Sequence, residues 1–335
     1  MTVRPCPDTA LILGIGGQDG ALLARQLLAM GVRVHGGSRD VAGRAFPALA
    51  RVGCLDQVRL HTIDPTNAAV VADALETIRP SWIFNLAAQS SVHRSFERPG
   101  ETVDGIVRGA VTVLEAIQRT RLDCRFLNAS SSECFGDTGD TPANEETIFR
   151  PCSPYGVAKA AAHWTVAHHR QTYGLFACSG ILFNHESPLR PDHYVTAKVV
   201  RGAADIAAGL AETLCLGDID IQRDWGWAPE YVAAMVAMMN ADTPQDLVIA
   251  TGRLVSLQTF VAMVFEAFGL DWRRHVIAGA YPRRPYDPKI IAANPAMAQV
   301  RLGWQAKVDV AGVAARLAAA EQRRRAGHDC WVDMA

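Results

Sequence analysis

The glycine-rich turn near the N-terminus constrains the fold of this chain more than any other feature. Residues 10–13 predict a short buried strand, and residues 21–28 have the apolar periodicity of a helix. Gly14, Gly17 and Gly20 lie at and between these two segments. In such a turn the first glycine permits a tight bend, the second lets the backbone approach a pyrophosphate, and the third allows close packing. The pattern therefore predicts a dinucleotide-binding site.

The residues after a second predicted strand, 32–36, bear on the choice of cofactor. An acidic residue there typically binds the ribose 2′-hydroxyl of NAD, whereas an arginine meets the 2′-phosphate of NADP. Arg39 and Asp40 occupy this position, and an arginine forms charge-assisted, bidentate hydrogen bonds with a phosphate. We therefore predict NADP, with NAD as the alternative that Asp40 keeps open. Asp64, after a third predicted strand, is either an acceptor for the adenine amino group or a helix N-cap.

Tyr155 and Lys159 form a second informative pattern. Residues four apart lie on one face of a helix, so the lysine ammonium can lie beside the tyrosine phenol. A phenol normally titrates at about pH 10, and a nearby cation lowers that pKa, which would make the phenolate a usable base. Such a pair suits removal of a proton from a sugar hydroxyl while hydride leaves the same carbon. A partly buried helix face without chemistry is the alternative for this pattern taken alone.

Composition argues against several classes of function. The chain has 335 residues, 49% of them hydrophobic, which is enough for one large domain or two closely packed domains. Its formal net charge of −1 argues against nucleic-acid and membrane-surface partners. The 8 cysteines form no C-x-x-C pair, so we expect free thiols, no metal site and a reducing, cytoplasmic compartment. We expect no membrane span, because no apolar run reaches about 18 residues.

Alternating apolar patterns predict the organisation of the next part of the chain. Strand-like segments at 82–86, 125–129 and 177–182 are separated by helical stretches around 101–120 and 155–173. Such alternation is typical of a parallel, doubly wound sheet whose ligands bind at one edge. The predicted fold class is therefore α/β and Rossmann-like.

Prolines interrupt shorter elements after about residue 186. We therefore predict a dinucleotide-binding domain over residues 1–185, with return segments near 219–252. A smaller, mainly substrate-binding C-terminal domain is predicted over residues 186–335. Residues 247–250 are the candidate for a strand that returns to the main sheet.

Six segments together resemble the extended short-chain dehydrogenase/reductase superfamily, and within it the GDP-mannose 4,6-dehydratase family. They are G-I-G-G-Q-D-G at 14–20, N-L-A-A-Q-S at 85–90, S-E at 132–133, S-P-Y-G at 153–156, G-I-L-F-N-H-E-S-P at 180–188 and R-D-W-G at 223–226. The resemblance covers roughly residues 8–305. Its last two segments are much more specific than a glycine pattern, and they indicate a nucleotide-sugar enzyme.

The resemblance implies a redox-neutral reaction on the sugar of GDP-mannose, which yields GDP-4-keto-6-deoxymannose. Tyr155, assisted by Lys159, would take the C4 hydroxyl proton while hydride passes from C4 to the nicotinamide. Glu133 would then remove the C5 proton, acidified by the 4-ketone, and would protonate the departing C6 hydroxyl. The cofactor would return its hydride to C6 and so be regenerated in each turnover. Ser131 would hydrogen-bond the reacting sugar oxygen. The alternatives are a backbone cap for Ser131 and a surface salt bridge for Glu133.

The resemblance also implies ligand contacts and partners. The expected cofactor-binding residues are Gly14, Gly17, Gln18, Asp19, Gly20, Arg39, Asp64, Leu86, Ala87, Tyr155 and Lys159. The expected substrate-binding residues are Ser90, Asn184, Lys198, Arg223 and Arg284. His185 and Glu186 are expected to shape the pocket rather than to bind a metal. The expected partner is a GDP-linked sugar, and the expected assembly is a homodimer or homotetramer.

Several positions depart from the family pattern and keep alternative functions open. They are Ser131 for the usual threonine, Leu189 for an arginine, Trp227 for a histidine, and altered residues at Ser91, His93, Arg94 and 287–289. One alternative is a 4,6-dehydratase of a GDP-linked heptose or of another hexose. The other is a GDP-sugar reductase or epimerase that keeps Tyr155 and Lys159 but eliminates no water. Glu133 argues against this second alternative, because simple reduction at C4 needs no base at C5.

Overall fold

A parallel sheet of seven strands is the central layer of the computed structural model, which describes residues 7–280 and 285–328. The strands in chain order are β1 (Thr9–Leu13), β2 (Arg33–Ser38), β3 (Arg59–Thr62), β4 (Trp82–Asn85), β5 (Arg125–Ser131), β6 (Phe176–Leu182), β7 (Asn184–Glu186), β8 (Leu214–Cys215), β9 (Gln222–Trp227), β10 (Leu247–Ile249), β11 (Leu254–Ser256), β12 (Val276–Ile277) and β13 (Ile290–Ile291). The spatial order of the large sheet is β10-β6-β5-β4-β1-β2-β3. The predicted α/β class with a doubly wound parallel sheet is thus confirmed.

Helices cover both faces of this sheet. They are α1 (Gln18–Ala29), α2 (Pro47–Arg51), α3 (Ala68–Ile78), α4 (Val92–Glu97), α5 (Pro99–Thr120), α6 (Pro154–Tyr173), α7 (Val195–Ala207), α8 (Ala228–Asn240), α9 (Leu257–Ala267), α10 (Ala296–Leu302) and α11 (Val310–Arg325). Single 3₁₀ turns lie at Leu55–Gln57, Ser132–Cys134 and Trp272–Arg274.

The alternation of side chains along β1 explains why both faces need a cover. Leu11 and Leu13 pack with α3 and α5 on one face, whereas Ala10 and Ile12 pack with α1 and α8 on the other. Successive residues of a strand point to opposite faces, so a strand buried on both faces is apolar throughout. Each large apolar side chain buried in this way contributes about 1.5–3 kcal/mol. The core thus fixes the strand order that brings the carboxyl ends of β1, β4 and β5 to one edge.

The chain leaves the large sheet at the end of β6 and enters a second sheet one residue later. β7 begins at Asn184 and pairs in parallel with β9, which also pairs with β11 and β13. Later in the chain, β10 returns to the large sheet and pairs in parallel with β6. The junction between the two sheets therefore lies beside the ends of β1 and β5, where the predicted site residues cluster. Across the described parts of the chain, no helix is long and apolar enough to span a bilayer.

Candidate active site

The glycine-rich turn has the geometry that a phosphate-binding turn needs. Gly14 has φ +87°, and a Cβ atom there would lie 2.7 Å from the backbone carbon of Leu86. Only glycine satisfies both the left-handed backbone and the close approach of β1 to the end of β4. Gly17 precedes α1 with no side-chain cap, so the amide groups of the first turn face the site without a side-chain acceptor. The turn, together with Leu86 and Ala87, therefore fits the pyrophosphate of a dinucleotide.

The side chains of Gln18 and Asp19 bind the segment that follows β6. The Gln18 Nε2 donates to the carbonyl oxygen of His185, and the Ser187 hydroxyl donates to Gln18 Oε1. The His185 ring lies 3.0 Å from Asp19 Oδ2. Only the backbone amides of Gln18 and Asp19 are therefore available to a cofactor, because their side chains bind the segment that follows β6.

Arg39 lies exposed directly after β2, where the adenosine end of a cofactor would be. The Asp40 carboxylate accepts a hydrogen bond from the Gly43 amide at 2.8 Å, so it stabilises the local turn at residues 40–43. A guanidinium nitrogen of Arg44 lies 3.5 Å from where a Cβ atom of Gly16 would be. Two arginines thus stand beside the glycine-rich turn and the end of β2.

Asp64 does not cap the helix that follows it. Its Oδ1 accepts hydrogen bonds from the Thr66 amide at 2.9 Å and the Thr66 hydroxyl at 2.8 Å. The N-cap of α3 is Asn67, whose side chain accepts from the Ala69 and Val70 amides. The N-cap alternative for Asp64 is therefore wrong, because a closer acceptor fills that position.

Tyr155 and Lys159 lie on the buried face of α6, near its N-terminus. Ser153 caps this helix, because its hydroxyl accepts a hydrogen bond from the Gly156 amide at 3.0 Å. The Lys159 Nζ donates to the carbonyl oxygen of Ala129 at 2.7 Å and lies 5.7 Å from the centre of the Tyr155 ring. Strand β5 and helix α6 together fix both side chains.

Burial dominates the protonation of this pair. It raises the pKa of Tyr155 above its ordinary value, although a hydrogen bond with Ser131 opposes the shift. Burial likewise lowers the pKa of Lys159 to about 8. The expected lowering of the phenol pKa is therefore not seen in this structure, because desolvation of the phenolate outweighs the hydrogen bond with Ser131. Tyr155 is a neutral phenol here.

Glu133 and Ser131 meet the first turn of α6 at the end of β5. The Glu133 amide donates to the Ser131 hydroxyl oxygen at 3.2 Å, so Ser131 both caps the 3₁₀ turn and hydrogen-bonds Tyr155. A Cβ atom at Gly156 would lie 2.6 Å from the Glu133 carbonyl oxygen. Glycine at this position lets the turn that carries Tyr155 pack directly on the backbone of Glu133. The four predicted catalytic residues, Ser131, Glu133, Tyr155 and Lys159, therefore lie together.

Tyr194, just before α7, belongs to the site although no sequence pattern singled it out. Its hydroxyl lies 2.6 Å from that of Ser90, one of the expected substrate-binding residues. The Arg190 guanidinium stacks on its ring, with 3.9 Å between the guanidinium carbon and the ring centre. The only signal in the sequence was the departure from the family pattern at Leu189, which does not specify a side chain that crosses to Ser90.

The expected substrate residues differ in their environments. Asn184 is half-buried at the start of β7, and Lys198 lies on α7, where burial lowers its pKa. Arg223 is buried on β9, and its guanidinium donates to Asp287 Oδ1 at 2.8 Å. An internal carboxylate therefore sits where the diphosphate was expected to meet Arg223. Arg284 lies outside the described residues.

The described residues contain no group of three or more His, Cys, Asp or Glu side chains arranged to hold a metal ion.

Comparison with known proteins places these residues in a family. The profile of the family described as GDP-mannose 4,6 dehydratase matches residues 11–317. GDP-mannose 4,6 dehydratase 1 of Arabidopsis thaliana is 39% identical over 309 residues, which cover 89% of this chain and 85% of the relative. GDP-mannose 4,6-dehydratase of Vibrio cholerae is 37% identical over 342 residues, which cover 92% of each chain.

Solved structures share the fold at lower sequence identity. A dTDP-glucose 4,6-dehydratase from Streptomyces venezuelae with NAD bound has a TM-score of 0.84 and 21% identity, and the match covers 95% of this chain and 98% of that one. A Pseudomonas aeruginosa structure complexed with NADPH has a TM-score of 0.77 and 20% identity, with 93% and 98% covered.

Proposed function

Because the chain belongs to the GDP-mannose 4,6-dehydratase family, we propose that it converts GDP-mannose to GDP-4-keto-6-deoxymannose. It is a nucleotide-sugar 4,6-dehydratase and therefore a hydro-lyase. The observation that carries the proposal is the position of Glu133, a half-buried carboxylate packed against the helix turn of Tyr155. A reductase or epimerase would need the phenol and the ammonium, but it would need no carboxylate to remove a proton from C5.

The protein uses a nicotinamide cofactor, which supplies a reversible acceptor for the C4 hydride. The backbone of the glycine-rich turn and the first amides of α1 would hold its pyrophosphate, as the fit of Gly14 and Gly17 indicates. Leu86, Ala87 and Lys159 would contact the rest of the molecule. These residues bind and orient, and burial of the site excludes water from the reacting carbon.

Tyr155 would take the C4 hydroxyl proton through a hydrogen-bonded path. Its phenol is neutral at rest because burial raises its pKa, so it needs the Lys159 ammonium to stabilise the phenolate that forms. Ser131, already bonded to the phenol, would orient the sugar oxygen between them. Lys159 is held for this role by its bond to Ala129.

Glu133 would remove the C5 proton and then protonate the C6 hydroxyl as it leaves as water. The 4-ketone acidifies the C5 proton, so an ordinary carboxylate is a strong enough base. Its half-buried position gives the carboxylate access to the sugar, while its backbone is fixed by Ser131. One residue can act at both carbons because base and acid roles follow one another. The proton that Tyr155 took from the C4 hydroxyl would then go to C5 when the hydride returns to C6, so that water is the only by-product.

We propose NADP as the preferred cofactor. Arg39 is exposed where a 2′-phosphate would lie, Arg44 stands beside the glycine-rich turn, and Asp40 turns its carboxylate to Gly43. Two cations favour a phosphate over a free hydroxyl. The Glu101 carboxylate, which the charge of Arg39 also reaches, hydrogen-bonds Arg98 and Arg94.

We propose that a second copy of this chain packs on the outer face of α6, forming a homodimer or a larger homo-oligomer. Val157 and Trp164, seven residues apart on this face, are 49% and 60% exposed. Large apolar side chains in one stripe of a surface helix are typical of a contact surface.

The division into a dinucleotide-binding domain over residues 1–185, with return segments near 219–252, and a substrate-binding domain over 186–335 is part of this proposal. We also propose a cytoplasmic location. The substrate diphosphate would be bound by Asn184, Lys198, Arg223 and Arg284. For Arg223 the proposal requires that the substrate phosphate replace Asp287 as its partner.

The test is to incubate the purified protein with its cofactor and, in parallel, with GDP-mannose and a GDP-linked heptose. We expect mass spectrometry to detect loss of one water from GDP-mannose without net change of the cofactor. Loss of water from the heptose alone would assign the second candidate substrate. Net oxidation or reduction of either sugar without loss of water would contradict the dehydratase proposal.

A further inference from the structure

We infer that His185 is a positioning residue which, as an imidazolium, neutralises Asp19 at the glycine-rich turn and holds that turn against segment 184–188. The inference rests on the proposed function only in taking this turn as the pyrophosphate site of the cofactor.

Two successive residues of α1 bind two residues of the distant segment. Gln18 donates to the His185 carbonyl oxygen at 3.2 Å and accepts from the Ser187 hydroxyl at 2.7 Å. Asp19 Oδ2 lies 3.0 Å from His185 Nε2. Because β7 belongs to the second sheet, these bonds connect the phosphate-binding turn to the part of the fold expected to hold the sugar nucleotide.

The hydrogen-bond partners of His185 determine its charge. Its Nδ1 lies 2.7 Å from the carbonyl oxygen of Phe183, and its Nε2 faces the Asp19 carboxylate. A carbonyl and an ionised carboxylate both only accept, so both ring nitrogens must donate, and the ring is an imidazolium. The ring also stacks on Tyr231, with 4.7 Å between ring centres, which fixes its plane.

The charged neighbours agree with this protonation state. Burial alone would lower the pKa of His185, but the charge of Asp19 and its hydrogen bond raise it above the ordinary value, against the opposing charge of Arg190. Burial would raise the pKa of Asp19, yet His185 holds it at about 2. Arg190 is itself paired with Glu186 at 3.1 Å, and Tyr231, with its pKa raised by burial, is neutral.

Neutralisation matters because of where Asp19 lies. It is the second residue of α1, beside the amide groups that would meet a pyrophosphate. A bare carboxylate there would repel the phosphates and oppose the favourable field of the helix N-terminus. With His185 charged, the pair is neutral, and the same bond draws segment 184–188 toward the cofactor.

Segment 184–188 is also bonded to helix α7. Glu186 Oε2 accepts from the Thr196 hydroxyl at 2.6 Å and from Arg190 Nε at 3.1 Å. Thr196 lies in the first turn of α7, next to Tyr194, which contacts Ser90 across the pocket. His185 therefore lies between the cofactor turn and the substrate side of the site.

The test measures cofactor binding by calorimetry, with NADP⁺ and NAD⁺, for three variants. His185→Gln leaves Asp19 uncompensated and should weaken binding of the preferred cofactor at least about tenfold, as loss of one charge-assisted interaction would. Asp19→Asn should bind at least as tightly as the native protein. The double variant Asp19→Asn/His185→Gln should return to within about threefold of native, because the uncompensated carboxylate is gone.

The pH dependence of cofactor affinity separates a role in charge from a role in packing, because packing alone would not change with pH. Native affinity should fall as pH rises through the pKa of His185, because deprotonation exposes the Asp19 charge. The double variant should show no such fall. His163→Gln is the matched control, since His163 is a buried histidine 3.7 Å from the Asp246 carboxylate, away from the turn. Its cofactor affinity should equal that of the native protein.

Two results would overturn the inference. One is a double variant that binds as weakly as His185→Gln, which would mean that the pair acts by packing and not by charge. The other is a tenfold loss in Asp19→Asn, which would make the carboxylate itself a favourable contact of the cofactor. Neither result depends on which sugar nucleotide the enzyme dehydrates, so failure here is separate from failure of the proposed function.

Discussion

Glu133 and Tyr155 illustrate how burial assigns different roles to neighbouring groups. Tyr155 is 8% exposed and Lys159 6%, whereas Glu133 is half-buried at the mouth of the site. Desolvation keeps the phenol protonated until a hydroxyl proton must leave, whereas the half-buried carboxylate of Glu133 remains accessible to a substrate. Each role can be separated from the others by a single substitution.

Replacing Glu133 with glutamine should uncouple oxidation from dehydration. The first step at C4 does not use the carboxylate, so the reduced nicotinamide should accumulate on the protein and its near-ultraviolet absorbance should rise. Loss of water should fall by roughly 10²–10⁴-fold, the usual contribution of a general base. Glu146→Gln, an exposed carboxylate in the same connection, serves as control. Dehydration by Glu133→Gln at the native rate would remove this residue from the mechanism.

Replacing Tyr155 with phenylalanine should block the oxidation at C4, which precedes loss of water. Without the hydroxyl, no group on α6 can take the C4 proton, so turnover should fall by roughly 10²–10⁴-fold. No reduced cofactor should accumulate, which distinguishes this variant from Glu133→Gln. Cofactor affinity, measured by calorimetry, should change little. A variant with near-native turnover would show that another base is used.

Arg39 is the residue that we expect to select NADP over NAD. A charge-assisted hydrogen bond contributes about 1.5–3 kcal/mol, so Arg39→Ala should narrow the preference for NADP over NAD by about tenfold or more. Arg33→Ala, an exposed arginine at the other end of β2, is the control. Titration of both cofactors into each protein gives the ratio. Equal native affinities, or an unchanged ratio in Arg39→Ala, would be inconsistent with NADP selection by this residue.

At the scale of elements, α6 serves two surfaces at once. One face carries Tyr155 and Lys159 against β5, and the opposite face carries Val157 and Trp164 toward solvent. A contact on the outer face would restrain the same helix that positions the catalytic pair. Association and activity should therefore respond together to changes on this helix.

Trp164→Ser should weaken self-association. The side chain is 60% exposed, and an aromatic residue at the centre of a contact commonly contributes 2 kcal/mol or more, roughly a thirtyfold change in dissociation constant. Sedimentation velocity over a range of concentrations measures the shift. Val300→Ser, a 73% exposed apolar residue on α10, should leave assembly unchanged. A native protein that is monomeric at high concentration, or a Trp164→Ser protein that associates as tightly, would contradict the proposed contact.

The elements also show how far sequence patterns reach. The strand, turn and helix around Gly14 and Gly17 could be predicted, because local periodicity and backbone geometry specify them. The side-chain bond of Asp19 to His185 could not, since its partner lies 166 residues away and depends on the packing of two sheets. Tyr194 was missed for the same reason. Burial of Tyr155, which reverses the expected direction of its pKa, is likewise a property of the assembled fold.

At the scale of the whole molecule, two neighbouring strands carry a pair of histidines that makes the fold sensitive to acid. His35 Nδ1 lies 2.8 Å from His61 Nε2, so one ring donates and the other, which must be neutral, accepts. Burial is the main cause that lowers the pKa of both rings, which favours two neutral imidazoles. Burial, together with the charges of His61, Arg59 and Arg33, lowers the pKa of His35 to about 4 from 6.5. The unfolded chain therefore binds a proton that the folded protein excludes.

The free energy of unfolding should consequently decrease as pH falls below about 6.5 and should stop losing this contribution near pH 4. His35→Gln removes the titrating group, so its stability should vary less over that range. Urea unfolding at a series of pH values measures both proteins, with His168→Gln, an exposed histidine on α6, as control. Equal pH dependence in native protein and His35→Gln would exclude this pair as a source of acid sensitivity.

The return of β10 to the edge of the large sheet has a consequence for synthesis of the protein. Until residues 247–249 leave the ribosome, β6 has no neighbour on its outer side, although β6 itself and strands β1 to β5 have already been made. An apolar strand with unpaired backbone groups is a template for a strand of another nascent chain. In the finished protein β10 covers this edge, and the Glu145 carboxylate accepts a hydrogen bond from the Val248 amide, at 2.8 Å. We therefore expect the nascent chain to be most prone to pairing with other chains in the interval between translation of β6 and translation of β10.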